Sequence, residues 1–148
     1  VDAMSAVPDW IVLAESQGID VVRLSSTEIF PSMAQAIIAS DSGIEENPEA
    51  VGAVVRAILR AVDDIMADPS QAAVDLIEYL EAKEFPVQPD SVLPIIEAYA
   101  TSVYPGQEVL GIADAGRYQA VQSFYLDAGI IRSETPIEDL FTNQFVPQ

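Results

Sequence analysis

Residues 7–24 read VPDWIVLAESQGIDVVRL, and this stretch indicates the fold class. Pro8 and Gly18 predict a helix between them, because proline suits the first helical turn and glycine the residue that follows the last turn. Residues 19–24 read IDVVRL, a short segment rich in β-branched residues, which is typical of a largely buried strand, and residues 34–39, AQAIIA, predict a second strand. Residues 1–3 resemble the end of a further strand. Alternation of helix and strand predicts an α/β fold.

From residue 47 onward the pattern predicts helices. Asn47-Pro48-Glu49 and Asp68-Pro69-Ser70 each combine a capping residue with a first-turn proline, and apolar residues follow at three- and four-residue spacing. A further helix begins within residues 90–94. Pro94 is expected in its first turn, since proline in a helix interior costs about 3 kcal/mol.

The last predicted helix covers residues 115–128 and ends at Gly129. Its apolar positions predict that the side chains of Tyr118, Val121, Phe124 and Tyr125 point inward. After it, residues 135–138 read TPIE, which predicts a capping box that opens a short final turn.

The charge of the chain is strongly negative. It has 24 acidic and 6 basic residues, for a net charge of −18. This charge repels phosphate backbones and anionic lipid headgroups, so we expect neither a nucleic-acid partner nor a membrane-surface partner. The acids form solvated helix faces, or they adapt the protein to a saline medium in which counterions screen their repulsion.

The residue types of the chain exclude several kinds of site. It contains no histidine and no cysteine, so a zinc site and a Ser-His-Asp or Cys-His nucleophile cannot be built. It also lacks the glycine-rich motifs that hold phosphates. We therefore predict no cofactor, no metal and no catalytic residue. Carboxylate pairs do occur, at residues 45–46, 63–64 and 64/68, and we interpret them as solvated faces.

Aromatic residues near the predicted strand ends are candidates for ligand contact. Trp10 follows a strand end and lies in the first turn of a helix, and ligands of open α/β sheets bind beyond such strand ends. Lining of a cleft and plain packing are equally compatible with this position. Phe30 and Met33, just past residues 25–31, are weaker candidates of the same kind.

Several blocks of sequence resemble a known family in their order and spacing. The most specific are IIASDSGIEENPEAV at residues 37–51 and FYLDAGII at residues 124–131, with VDA at residues 1–3. These blocks resemble the second half of the nitrate/sulfonate/taurine and thiamine-precursor binding proteins of ABC importers, the NMT1/THI5-like family. The resemblance implies a type II periplasmic-binding-protein-like fold with two lobes, of which this mostly helical portion is a fragment.

On that resemblance, residues 1–24 complete one lobe, residues 25–32 form a hinge crossing, and residues 33–148 return to the other lobe. The loop after residues 1–3 carries an aromatic in relatives. Here residues 4–7 read MSAV, so only Trp10 could substitute for that aromatic. The expected ligand-binding residues are Met4, Ser5, Trp10, Phe30 and Met33.

The implied function is transport, not catalysis. The protein would capture a small solute (a sulfonate, a nitrate-like anion or a thiamine pyrimidine), close by hinge motion, and deliver it to ABC permease subunits. The expected location is periplasmic or extracellular, at the cell surface. Because residues 1–4 lack the features of a secretion signal and the chain does not begin with Met, we expect a fragment or a processed product. The missing N-terminal half or a second copy is a further expected partner.

Two alternatives remain at this stage. A free-standing helical interaction module would account for the helix-rich majority but would leave the strands unpaired at their edges. A carboxylate-based hydrolase would require two acids that converge in a cleft with separated pKa values.

Overall fold

The computed structural model describes residues 2–24 and 35–147, and the regular structure in those ranges is helical. In chain order the elements are α1 Pro8–Ser16, α2 Asp41–Glu46, α3 Pro48–Ala67, α4 Pro69–Ala82, α5 Pro89–Ser102, α6 Ala115–Asp127 and the 3-10 turn η1 Ile137–Asp139. Within the described ranges, no helix is both long and apolar enough to cross a membrane. The prediction of a mostly helical chain is confirmed.

Local signals set most helix boundaries. Proline is the first residue of α1, α3, α4 and α5, because its fixed φ suits that position and its missing N–H is not needed there. Asp68 caps α4, and its carboxylate accepts a hydrogen bond from the backbone N–H of Gln71 at 3.0 Å. Gly18 and Gly129 follow α1 and α6 with φ of 75° and 69°. Glycine adopts this left-handed conformation without strain, so both helices end where the sequence predicts.

The predicted strands are not found. Residues 2–7, 19–24 and 35–39 have no regular secondary structure, and Ala34 lies outside the described residues. Val22 and Ile38 are 87% and 90% exposed. A strand needs a neighbour that completes its backbone hydrogen bonds, and no part of the described chain pairs with these segments. Apolar composition alone therefore did not make them strands.

The position of Pro94 also differs from the prediction. Helix α5 begins at Pro89, so Pro94 lies inside the helix, beyond its first turn. The ring at this position removes the N–H that would bond the carbonyl of Asp90. Proline at the first helical position favours the earlier start, because Pro89 is already in the required φ range.

The prediction of a capping box at residues 135–138 is wrong, although the short turn predicted after it is present. The turn η1 is preceded by Pro136, and no side chain caps it. The backbone of Thr135 is held instead by the side chain of Gln122 on α6. A distant amide thus replaces the local cap.

The described residues divide into two compact units. The first takes its residues from Val1–Val22 and Leu59–Gln107. In it, both α1 and α4 pack against α5. Ala73 on α4 and Val92 on α5 are its buried apolar side chains. Helix α5 is therefore the element to which both α1 and α4 attach.

The second unit takes its residues from Arg23–Ile58 and Glu108–Gln148. Its buried apolar side chains are Val55 and Val121. The rings of Tyr118 and Phe141 pack with centroids 4.7 Å apart. Gly52 faces Phe145, since a Cβ added at Gly52 would stand 3.4 Å from Phe145 Cδ1. That separation is an ordinary contact, and the tighter neighbour of such a Cβ would be Nη1 of Arg56, at 3.0 Å.

Of the residues predicted to point inward from α6, Val121 is buried, and Tyr118, Phe124 and Tyr125 are half-buried. On α3 the predicted apolar stripe is only partly covered. Val55 is buried, but Val54 and Ile58 are exposed.

Candidate functional site

Packing of α1 against α5 groups one carboxylate with two phenols in the first unit. Asp9 lies in the first turn of α1. Tyr99 lies near the end of α5, and Tyr104 follows just beyond that helix. The hydroxyl of Tyr99 hydrogen-bonds Asp9, whose negative charge also acts on Tyr104. We call these three residues the Asp9 cluster.

The end of α5 brings the two tyrosines of the cluster together. The backbone N–H groups of Val103 and Tyr104 both donate to the carbonyl of Tyr99, at 3.0 and 3.1 Å. This closure turns the chain back on the helix, so the two rings lie with centroids 5.7 Å apart and planes inclined by 37°. Such tilted pairs are a favoured arrangement of aromatic rings. Both tyrosines are half-buried, so the pair is partly accessible to solvent.

The cluster favours the neutral form of both phenols. Burial, the hydrogen bond to Asp9 and the negative charges nearby raise the pKa of Tyr99 from 10.0 to about 12. Burial and the charge of Asp9 also raise the pKa of Tyr104. Both hydroxyls therefore stay protonated, and able to donate hydrogen bonds, well above neutral pH.

Asp9 differs from the other acids in its burial. Every other acidic residue of the described ranges is exposed, whereas Asp9 is half-buried. Its Oδ1 atom is buried and has no hydrogen-bond partner among the described residues. A buried acceptor left without a donor costs about 1–3 kcal/mol, and more when it is charged. The first turn of α1 offsets part of this cost, because a helix N-terminus stabilises negative charge.

The expected ligand-binding residues are partly located. Met4 and Ser5 lie in the irregular segment before α1, and both are exposed. Trp10 is the next residue after Asp9 and is 54% exposed. Phe30 and Met33 lie outside the described residues. The assignment of these five residues to ligand binding stays a prediction.

Sequence reasoning missed the Asp9 cluster. Asp9 stands beside Trp10, but Tyr99 and Tyr104 belong to a helix far along the chain. No spacing rule links residues so distant, and only the packing of α1 on α5 joins them. A single sequence therefore contained no signal for this grouping.

The carboxylate pairs do not form a site in the described residues. Glu45, Glu46, Asp63, Asp64 and Asp68 are all exposed, as expected of solvated faces. Within residues 2–24 and 35–147 no three acidic side chains stand close enough together to hold a metal ion.

Two comparisons with known proteins found similarities to this chain. Residues 1–72 match the family model described as NMT1/THI5 like. Riboflavin-binding protein RibY of Chloroflexus aurantiacus is 29% identical over 142 residues, which cover 92% of this chain and 39% of RibY. The chain thus spans less than half the length of this curated relative. No solved structure matches it.

The family match includes α1, and with it Asp9, Trp10 and the segment that holds Met4 and Ser5. RibY is named as a binding protein and not as an enzyme. Both comparisons agree with the family that the sequence blocks resemble, and that recognition is confirmed. Residues 1–72 are therefore similar to the NMT1/THI5-like family, and the chain as a whole is similar to a riboflavin-binding protein.

Proposed function

We propose that the chain is part of a protein that captures a small aromatic solute outside the cytoplasm and delivers it to an ABC importer. The observation that carries this proposal is the Asp9 cluster, which places two half-buried aromatic rings around a carboxylate. Binding sites for small molecules combine apolar and aromatic walls with a few fixed polar groups, and the cluster has this composition.

The class of solute follows from charge and from the relative. A net charge of −18 and a half-buried carboxylate both oppose an anion, which disfavours the sulfonate and the nitrate-like solute. A neutral heterocycle meets no such repulsion. RibY is named for riboflavin, so we propose riboflavin or a similar planar heterocycle. A thiamine pyrimidine belongs to the same chemical class and is the second choice.

Trp10 supplies the second element of the proposed site. Its indole is 54% exposed, on the residue that adjoins Asp9. Stacking of a planar heterocycle on an aromatic side chain contributes about 1–3 kcal/mol. We propose that Trp10 stacks on the solute ring, and that Met4 and Ser5 contact the solute from the segment that precedes α1.

The architecture proposed for the whole protein is a two-lobed, type II periplasmic-binding-protein-like fold. Residues 1–24 would complete one lobe, residues 25–32 would cross between lobes, and residues 33–148 would return to the other. Closure around the solute would then present it to the permease subunits. The periplasmic or extracellular location is part of the same proposal.

The test is a titration of the protein, expressed from its complete reading frame, with riboflavin. Flavin fluorescence reports binding, because stacking on an indole quenches it. We expect saturable binding, and we expect Trp10→Ala to weaken it about 5- to 150-fold, given the stacking energy of about 1–3 kcal/mol. Phe85→Ala is the matched control, since Phe85 is an aromatic residue of the same unit and is 58% exposed.

Other outcomes would favour other functions. Saturable binding of an aminopyrimidine without binding of riboflavin would move the proposal to the thiamine-precursor class. Capture of a protein partner with no solute binding would favour the interaction module. Release of a product from a bound glycoside or ester would favour the hydrolase.

A further inference from the structure

The unpaired oxygen of Asp9 is an acceptor that the fold does not use. The carboxylate already hydrogen-bonds Tyr99, yet its Oδ1 atom is buried without a partner among the described residues. All other described acids are exposed, where water satisfies them. An asparagine, a serine or an apolar residue at this position would avoid burial of a charge. A buried polar group that lowers stability, and that no packing requirement explains, is typical of functional sites.

The neighbours of this oxygen limit what it can bind. An ionised carboxylate only accepts hydrogen bonds, so its partner must be an N–H or O–H donor. The adjacent phenols of Tyr99 and Tyr104 are protonated, because the pKa of each is raised. The phenol of Tyr99 already donates its one proton to Asp9, so Tyr104 is the phenol that can donate to a carbonyl oxygen or a ring nitrogen beside that donor. The cluster is thus complementary to a planar edge on which a donor stands next to an acceptor.

We propose that Oδ1 of Asp9 accepts a hydrogen bond from an N–H group on the edge of the bound heterocycle, and that this contact selects the solute. The inference rests on the proposed binding function and defines the chemical class further: an imide, lactam or amino-heterocycle with a free N–H. The isoalloxazine of riboflavin has such an edge, with one imide N–H between two carbonyls. An analogue methylated on that nitrogen lacks the donor.

Access to the oxygen requires a local movement. Oδ1 is buried. Tyr104 lies two residues beyond the end of α5, and its side chain is half-buried. Tyr104 is the candidate for this movement, because it lies outside α5 and close enough for the charge of Asp9 to act on it.

The test compares riboflavin with N3-methylriboflavin on the protein expressed from its complete reading frame. On the wild type we expect the methylated analogue to bind about 10- to 100-fold more weakly, the range given by a hydrogen bond to a charged group. In Asp9→Ala we expect the two flavins to bind within about 2-fold of each other. The substitution removes the acceptor and the methyl group removes the donor of the same hydrogen bond, so the second change costs nothing once the first is made.

The matched control is Asp90→Ala. Asp90 is also an acid in the first turn of a helix of the first unit, but it is exposed. This variant reproduces the loss of a charge at a helix N-terminus, and we expect it to keep the wild-type preference for riboflavin. Thermal unfolding in the absence of flavin distinguishes a role of Asp9 in binding from a role in stability. The inference predicts that Asp9→Ala melts at or above the temperature of Asp90→Ala.

Each opposite result has its own meaning. Equal binding of both flavins by the wild type overturns the inference and leaves the proposed function intact. Loss of the preference in Asp90→Ala as well, or a melting temperature of Asp9→Ala well below that control, makes Asp9 a structural partner of Tyr99 and also overturns it. A wild type that binds neither flavin overturns the proposed function for flavins, and the inference with it.

Discussion

Gln122 and Thr135 exchange two hydrogen bonds. The backbone N–H of Thr135 donates to Oε1 of Gln122 at 2.7 Å, and Nε2 of Gln122 donates to the carbonyl of Thr135 at 2.9 Å. Gln122 is 8% exposed, so both bonds are shielded from water on the glutamine side. One side chain of α6 thereby satisfies both backbone groups of a residue that no helix or strand serves.

Asn143 repeats this arrangement within the same unit. Its Oδ1 accepts from the N–H of Ala113 at 2.9 Å, and its Nδ2 donates to the carbonyl of Ala113 at 3.0 Å. A side-chain amide has one acceptor and two donors, so it can pair with a backbone residue as a neighbouring strand would. Two irregular segments of the second unit are fixed in this way.

We expect Gln122→Met to destabilise the protein by about 1–3 kcal/mol. Methionine fills a similar volume but removes both hydrogen bonds to Thr135, each of which contributes about 0.5–1.5 kcal/mol. The measurement is chemical denaturation followed by circular dichroism. Gln119→Met is the control: Gln119 also bonds this loop, through Glu134, but on the exposed side, so we expect a loss below about 1 kcal/mol. Equal losses in both variants would show that burial does not strengthen the Gln122 pair.

Removal of the cap on α4 has a smaller expected effect. Asp68→Ala deletes the acceptor of the Gln71 N–H, and loss of an N-cap costs about 0.5–2 kcal/mol. The midpoint of urea unfolding measures it. Asp63→Ala removes an exposed acid that does not start a helix, and it should change stability by no more than about 0.5 kcal/mol. If the Asp63 variant lost as much as the Asp68 variant, the helix cap would not be the cause.

Alkaline pH should destabilise the fold through Tyr99. Its pKa is about 12 in the folded protein against 10.0 for an ordinary tyrosine. Below pH 10 both states hold the proton and the contribution is constant. Between the two values the unfolded chain releases the proton and the folded chain retains it, so stability falls as the pH rises. Denaturation midpoints across this range measure the decline.

The same tyrosine should titrate earlier when Asp9 is neutralised. Asp9→Asn removes the negative charge that helps to keep the phenol protonated, so the phenolate absorbance should develop at lower pH than in the wild type. Asp90→Asn, which changes an exposed acid of the same unit, should leave the curve in place. Superimposable curves for Asp9→Asn and wild type would contradict the contact between Asp9 and Tyr99.

Salt should stabilise the protein. With 24 acidic residues against 6 basic ones, the folded chain repels itself. Raising the salt concentration from about 0.01 M to about 1 M shortens the screening length from about 30 Å to about 3 Å, which relieves this repulsion. We expect the melting temperature to rise with sodium chloride. Sucrose stabilises by exclusion from the surface, so a dependence on sucrose alone, with none on salt, would argue against charge repulsion.

The sequence predicted the helices well because their signals are local. Pro8, Pro48 and Pro69 each mark a first helical residue, and Gly18 and Gly129 each mark an end. Each signal acts through the φ of one residue or through a bond within one turn, so a single stretch of chain carries it. Pro94 was misplaced for the same reason: an equally local signal at Pro89 started α5 earlier.

The strands were predicted less well because a strand depends on a neighbour. Val22 and Ile38 have the β-branched side chains of buried strands, yet both are exposed. Their β-branched side chains favour a strand when a partner strand lies beside them, but they do not indicate whether such a partner is present. Among the residues that the structure describes, none supplies it.

By itself the sequence determined most helix boundaries, the strong negative charge, the absence of thiol and imidazole groups from this chain, and the resemblance to a family. These properties depend on residue types and on short-range spacing. The tertiary structure alone decided that Asp9 meets Tyr99 and that Gln122 holds Thr135. Both contacts join residues that are distant along the chain. Which donor reaches which acceptor is fixed only when helices pack, and a buried polar atom acquires its cost only then.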